Sequence, residues 1–107
     1  ERYSDNAPLF HHKTTLWEGG IRVPCLLRWP AGGLPKGTVS AQPAITMDLA
    51  ATILAAAGLP VPSTMDGINL LPILSGKQAP IERTLCWRVN RTGRNMKAIR
   101  HGDWKYV

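Results

Sequence analysis

The chain has 107 residues, 44% of them hydrophobic and 19% charged, which describes one small folded domain with one core rather than a disordered tail. No apolar run approaches the roughly 18 residues that a membrane span needs, and no basic segment followed by an apolar one opens the chain as a secretory leader would. The formal net charge is +6, a surplus to be explained by where it falls.

In chain order, residues 1–20 read as loop ending at Gly19–Gly20, and the chain opens on Glu1 as if in mid-segment, so it reads as a piece of a longer protein. Ile21–Trp29 (IRVPCLLRW) is rich in branched and aromatic side chains and predicts a strand, with Pro24 marking its entry or an unpaired position. PAGGLPKG is a turn-rich loop. TMDLAATILAAAGLP predicts a helix: Thr46 suits the N-cap and Asp48 the positive end. Leu49, Ile53, Leu54 and Ala57 share one apolar face, and Gly58 is the stop. A loop with a turn at Asp66–Gly67 follows, then a short helical turn over Pro72–Ser75 that Gly76 ends. RTLCWRV and NMKAIRHGDWKYV predict strands, with His101–Gly102–Asp103 as a tight hairpin turn. Cys25 and Cys86 sit in apolar runs and read as buried free thiols; two cysteines define no disulfide framework.

The charge is localised. Residues 77–107 carry Lys77, Arg83, Arg88, Arg91, Arg94, Lys97, Arg100 and Lys105 against Glu82 and Asp103 only, while residues 1–76 balance. Such a field favours polyanions, or is a solvated face that the rest of a larger protein neutralises. No groove-reading or RNA-binding signature accompanies it, so no nucleic-acid partner is expected.

The chemistry-bearing residues crowd into SDNAPLFHHKTTLWEGG. Asp5 and Asn6 are adjacent oxygen donors of the kind a hard cation takes, although Asp-Asn ahead of a proline is also a turn. His11 and His12 point in different directions in any regular conformation and form no chelate by spacing; they are ligand contacts or polar loop residues. Lys13 is a point charge able to hold an anionic oxygen, or a solvated side chain. Glu18 has three roles open to it: orienting Lys13, receiving an arginine, or bonding backbone amides. Asn90–Arg91–Thr92 fits a glycosylation sequon.

SDNAP followed by KTTLWEGGIRVPCLLRWPAG resembles the sulfatase family, arylsulfatase type, within the alkaline-phosphatase-like superfamily. ITMDLAATILAAAGLPVP, DGINLLPILSGK and AIRHGDWKYV resemble later blocks of that family in the same order, so the likeness covers nearly the whole chain. It implies an α/β fold (α+β as a fragment), the C-terminal part of a sulfatase. Residues 1–76 would belong to the catalytic α/β domain, contributing a strand and a helix, and residues 77–107 to a small antiparallel sheet. It implies that Asp5 and Asn6 are metal ligands, for Ca²⁺ or Mg²⁺, completed by earlier aspartates, and that Lys13 contacts the sulfate. His11 and His12 fall where substrate contacts vary. Ala7, Thr14 and Ala50–Ala51 depart from the family's usual residues and bear on the loop path. The family's formylglycine nucleophile arises in a Cys-x-Pro-x-Arg segment, and neither cysteine stands in one.

The implied partners are a sulfate-ester substrate, including a sulfated carbohydrate, and the N-terminal part of the same sulfatase, with no membrane partner. The implied compartment is periplasmic, secreted or lysosomal-like. The isolated chain is expected to be inactive and to self-associate. A phosphate or phosphonate monoester hydrolase of the same superfamily is the alternative within the enzymes, and a non-catalytic polyanion-binding module the alternative outside them.

Overall fold

From Thr84 onward apolar and polar side chains alternate, the period of a strand with one covered face. In the computed structural model, which describes residues 5–91 and 93–107, Thr84–Arg91 forms β1, Arg94–His101 β2 and Trp104–Tyr106 β3. The three make an antiparallel meander in the order β1-β2-β3, with Leu85 opposite Arg100, Trp87 opposite Ala98 and Val89 opposite Met96. The expected hairpin is present: His101 pairs with Trp104, and Gly102 takes φ 54° in the two-residue turn between them. Leu85 and Ala98 are buried on one face. On the other, Ile99, Trp104 and Tyr106 are exposed. Thr92 of the sequon lies outside the described residues.

The described residues fall into two compact units. One joins the segment up to Leu26 with Arg83–Val107; the other is Leu27–Glu82. In the first, Glu18–Ile21 forms a single helical turn, α1. Ile21 therefore closes a helix rather than opening a strand, and residues 22–28 run without sheet pairing, with Val23 75% and Leu26 97% exposed. The strand expected over Ile21–Trp29 is absent because a strand is defined by its neighbour, and no described residue of this chain supplies one.

In the second unit Thr46–Ala56 forms α2 and Leu71–Leu74 forms α3. The N-cap of α2 is Ile45, not Thr46; the capping work is done from inside, by Asp48 Oδ2 accepting the Ile45 N–H at 2.8 Å. Both helices end as their glycines predict. Gly58 (φ 70°) donates to Ala55 O and Leu59 to Leu54 O after α2, while Gly76 (φ 74°) donates to Ile73 O and Lys77 to Pro72 O after α3. The inward face of α2 is not the expected apolar one. Asp48, Ala51 and Thr52 are buried, whereas Leu49 and Ile53 are exposed. Polar anchoring explains the rotation: Asp48 Oδ1 accepts the Ile68 N–H at 2.9 Å and Thr52 Oγ1 accepts the Leu70 N–H at 3.0 Å, turning this face toward the 68–70 segment. Both cysteines are free and exposed, contrary to the buried thiols expected. Cys86 alternates outward next to buried Leu85, and Cys25 lies in the unpaired segment.

Candidate functional site

The loop that carries Asp5 to Lys13 is folded by its own backbone. The Leu9 N–H donates to Asn6 O at 2.7 Å and the Gly19 N–H to Phe10 O at 2.9 Å. His12 O accepts from both the Thr15 N–H (3.3 Å) and the Thr15 hydroxyl (2.8 Å), closing a turn around Lys13. Buried Thr15 and Leu16 anchor that turn. Two non-glycine residues take the left-handed conformation here, His11 at φ 68° and Thr14 at φ 78°, one on each side of His12–Lys13. For a β-branched residue this is a strained geometry, of the kind held only where surrounding contacts over-determine it.

Glycines let α1 approach. A Cβ on Gly19 would strike the carbonyl oxygens of Phe10 and His11; one on Gly20 would strike those of His12 and Thr15. The backbone on either side of Lys13 therefore rests directly on α1.

Lys13 is exposed and makes no ion pair among the described residues. Asp5 Oδ1 accepts the Ala7 N–H at 2.9 Å, an Asx turn. Asn6 Nδ2 donates to Gly19 O (3.2 Å) and His11 O (3.4 Å); only the N–H end of the amide satisfies two carbonyls, so its oxygen faces the other way. Each residue thus offers an oxygen, the donor type of a hard cation, and the pair fits part of a Ca²⁺ or Mg²⁺ shell. Such a shell needs about six or more oxygens, and among the described residues no cluster of three acidic, histidine or cysteine side chains forms. Asp5 through His12 line an open depression of about 410 Å³. On its rim His11 stacks against Trp17 (6.4 Å, 13°) and meets Phe10 edge-on at 4.5 Å, with the His12 ring 5.6 Å away.

Of the roles open to Glu18, the structure gives it the cation partner. Lys105 Nζ donates to Oε1 at 2.7 Å and Arg100 Nη1 to Oε2 at 3.2 Å, with Arg22 at 4.0 Å. Burial works to raise the Glu18 carboxyl, but the Lys105 hydrogen bond and charge, with the charges of Arg100 and Arg22, outweigh it and hold the group below the usual carboxylate range. Lys105 also lies 5.6 Å from the centre of the Trp87 ring. Arg100 and Lys105 were not singled out from the sequence. A signal existed: the hairpin register sets them directly opposite each other, and two like charges so placed call for an acid between them.

Comparison with known proteins gives the chain a family. The family model described as N-sulphoglucosamine sulphohydrolase, C-terminal, matches residues 8–101. The chain belongs to this family of sulfatases. It is similar to the N-acetylgalactosamine-6-sulfatase of Canis lupus familiaris, 38% identical over 94% of the chain and 19% of that protein. It is similar also to the steryl-sulfatase of Mus musculus, 50% identical over 56% of the chain and 10% of that protein, and to arylsulfatase D of Homo sapiens, 45% identical over 59% of the chain and 11% of that protein. The chain thus spans a fifth or less of the relatives it matches. The matched span contains Lys13 and Glu18 but begins after Asp5 and Asn6. No helix among the described residues is long and apolar enough to cross a membrane.

Proposed function

We propose that the chain is the C-terminal portion of an enzyme that hydrolyses sulfate esters to an alcohol and sulfate, in a periplasmic, secreted or lysosomal-like compartment. Lys13 carries this reading. Its exposed ammonium lies within the family-matched segment, in a turn fixed by Thr15 and by the glycines of α1. An ammonium there donates to sulfate oxygens, and its pull strengthens as charge builds on the group being transferred, so it acts on the transition state more than on the bound ester. Asp5 and Asn6 would hold one side of a Ca²⁺ or Mg²⁺ ion, the remaining ligands coming from outside these residues. When bound, such a cation supplies further neutralisation of the sulfate oxygens. The formylglycine nucleophile would likewise come from elsewhere in the enzyme.

His11 and His12, on the rim of the depression, would meet the alcohol part of the substrate. A sulfated carbohydrate suits this rim. Phe10, 63% exposed, presents an apolar ring face, and the relative matched over 94% of the chain is by name a sulfatase of an amino sugar.

The test is sulfate release by the intact protein from an aryl sulfate and from a 6-sulfated N-acetylhexosamine, with matched phosphate esters as controls. Lys13→Ala is expected to lower kcat/KM for the sulfate esters about 100-fold or more, and the isolated 107-residue chain to give no turnover. Turnover of the phosphate esters alone would replace this reading with the phosphohydrolase one. Salt-dependent binding of a heparin-like polymer that survives Lys13→Ala, without turnover of either ester, would point to a polyanion-binding module.

A further inference from the structure

The distance in sequence between Lys13 and the C-terminal sheet hides a short physical route between them. Glu18 stands on α1, and its two carboxylate oxygens are taken by neighbouring strands: Arg100 on β2 and Lys105 on β3, which are register partners. Both cations are themselves held. Arg100 Nε donates to Gly102 O at 3.1 Å, and Lys105 lies against the Trp87 ring. From Glu18 the path continues through Gly19 and Gly20, whose lack of side chains brings α1 against the carbonyls of His11, His12 and Thr15, and through the Gly19 N–H bond to Phe10 O. Lys13 sits inside that stretch.

We propose that Glu18 is a positioning residue for Lys13, clamped by Arg100 and Lys105 so that the C-terminal sheet fixes where the sulfate-contacting ammonium stands. The proposal rests on the sulfatase reading of Lys13. It gives the C-terminal sheet a part in catalysis that acts through Glu18. A displacement of about 1 Å at a group that contacts the reacting centre is enough to lower a rate up to about 100-fold, and loss of the carboxylate charge frees α1 to make such a displacement.

The experiment compares the intact protein with its Glu18→Gln, Arg100→Gln, Arg100→Lys and Lys13→Ala variants, by amide hydrogen exchange and by kcat and KM on a sulfate ester. In Glu18→Gln and Arg100→Gln, amides of residues 10–17 are expected to exchange about tenfold faster or more while residues 84–91 keep their protection. In the same variants kcat falls about tenfold or more, with a smaller change in KM. Arg100→Lys restores most of both. Lys13→Ala lowers kcat without loosening the loop. Loop protection in the wild type is lost on acidification as Glu18 takes up a proton against Arg22, Arg100 and Lys105, and Glu18→Gln lacks that limb. Unchanged loop exchange in Glu18→Gln, or equal loosening of loop and sheet, overturns the clamp. Where Glu18→Gln does not fold, the Arg100→Gln and Arg100→Lys pair decides. A wild type that releases no sulfate defeats the sulfatase reading, while the exchange comparison still decides the clamp.

Discussion

At the scale of single residues, Thr14 shows how closely the loop around Lys13 is determined. It follows Lys13 and sits at φ 78°, a conformation that glycine takes freely and a β-branched residue resists. The strain can be isolated from the Thr14 hydroxyl by comparing two variants that both lack it. Thr14→Gly is expected to be more stable than Thr14→Ala by about 1 kcal/mol, because only alanine keeps a Cβ in the left-handed region. Denaturant midpoints of the two variants at equal slope measure the difference; an alanine variant as stable as the glycine one would mean that the loop relaxes out of this geometry. Glu18 adds a pH dependence at the same scale. Its carboxyl is held below the ordinary range in the folded chain, so its stabilisation is complete above the unfolded carboxylate pKa and is lost as pH falls through the lower folded value.

At the scale of elements, buried Asp48 does for the second unit what apolar packing was expected to do. Its two oxygens take the N–H groups of Ile45 and Ile68, one ahead of α2 and the other beyond it in sequence. Gln42 closes the same unit in a similar way, its amide accepting from the Ile81 N–H at 2.8 Å and donating to the Ile81 carbonyl at 3.1 Å. Asp48→Ala leaves two backbone donors without their partner and is expected to cost about 2–6 kcal/mol, at about 1–3 kcal/mol per unsatisfied group. Asp48→Asn, which keeps one acceptor oxygen, should cost roughly half as much. Thermal unfolding of the two variants tests the order, and equal losses would show that the charge rather than the acceptors matters. The C-terminal ends of the helices and the hairpin turn were legible in the sequence because each depends on near neighbours: Gly58, Gly76 and Gly102. The face of α2 was not, because Asp48 and Thr52 bond to residues 18 to 20 positions away. The strand expected over Ile21–Trp29 failed for a related reason, its composition being right but no described residue pairing with it. Lys13 and Glu18 were legible as charges in a motif; that Arg100 and Lys105 complete the arrangement required the fold.

At the scale of the whole molecule, both units leave large apolar side chains uncovered. Val39 is 99% exposed and Leu26 97%, and on the open face of the sheet Trp104 is 85% and Tyr106 79% exposed. Relatives about five to six times longer contain the matching segment as a small part, and these side chains have the composition of an interior without the residues that would cover them. Apolar surface of this kind finds cover in other copies when nothing else is present. Light scattering of the isolated chain is therefore expected to report species above 11.7 kDa whose mass rises with concentration. The intact protein should lack this association, since its remaining residues would occupy the same surface. An isolated chain that stays monomeric at high concentration would mean that Leu26, Val39 and the outer sheet face find partners within the chain itself.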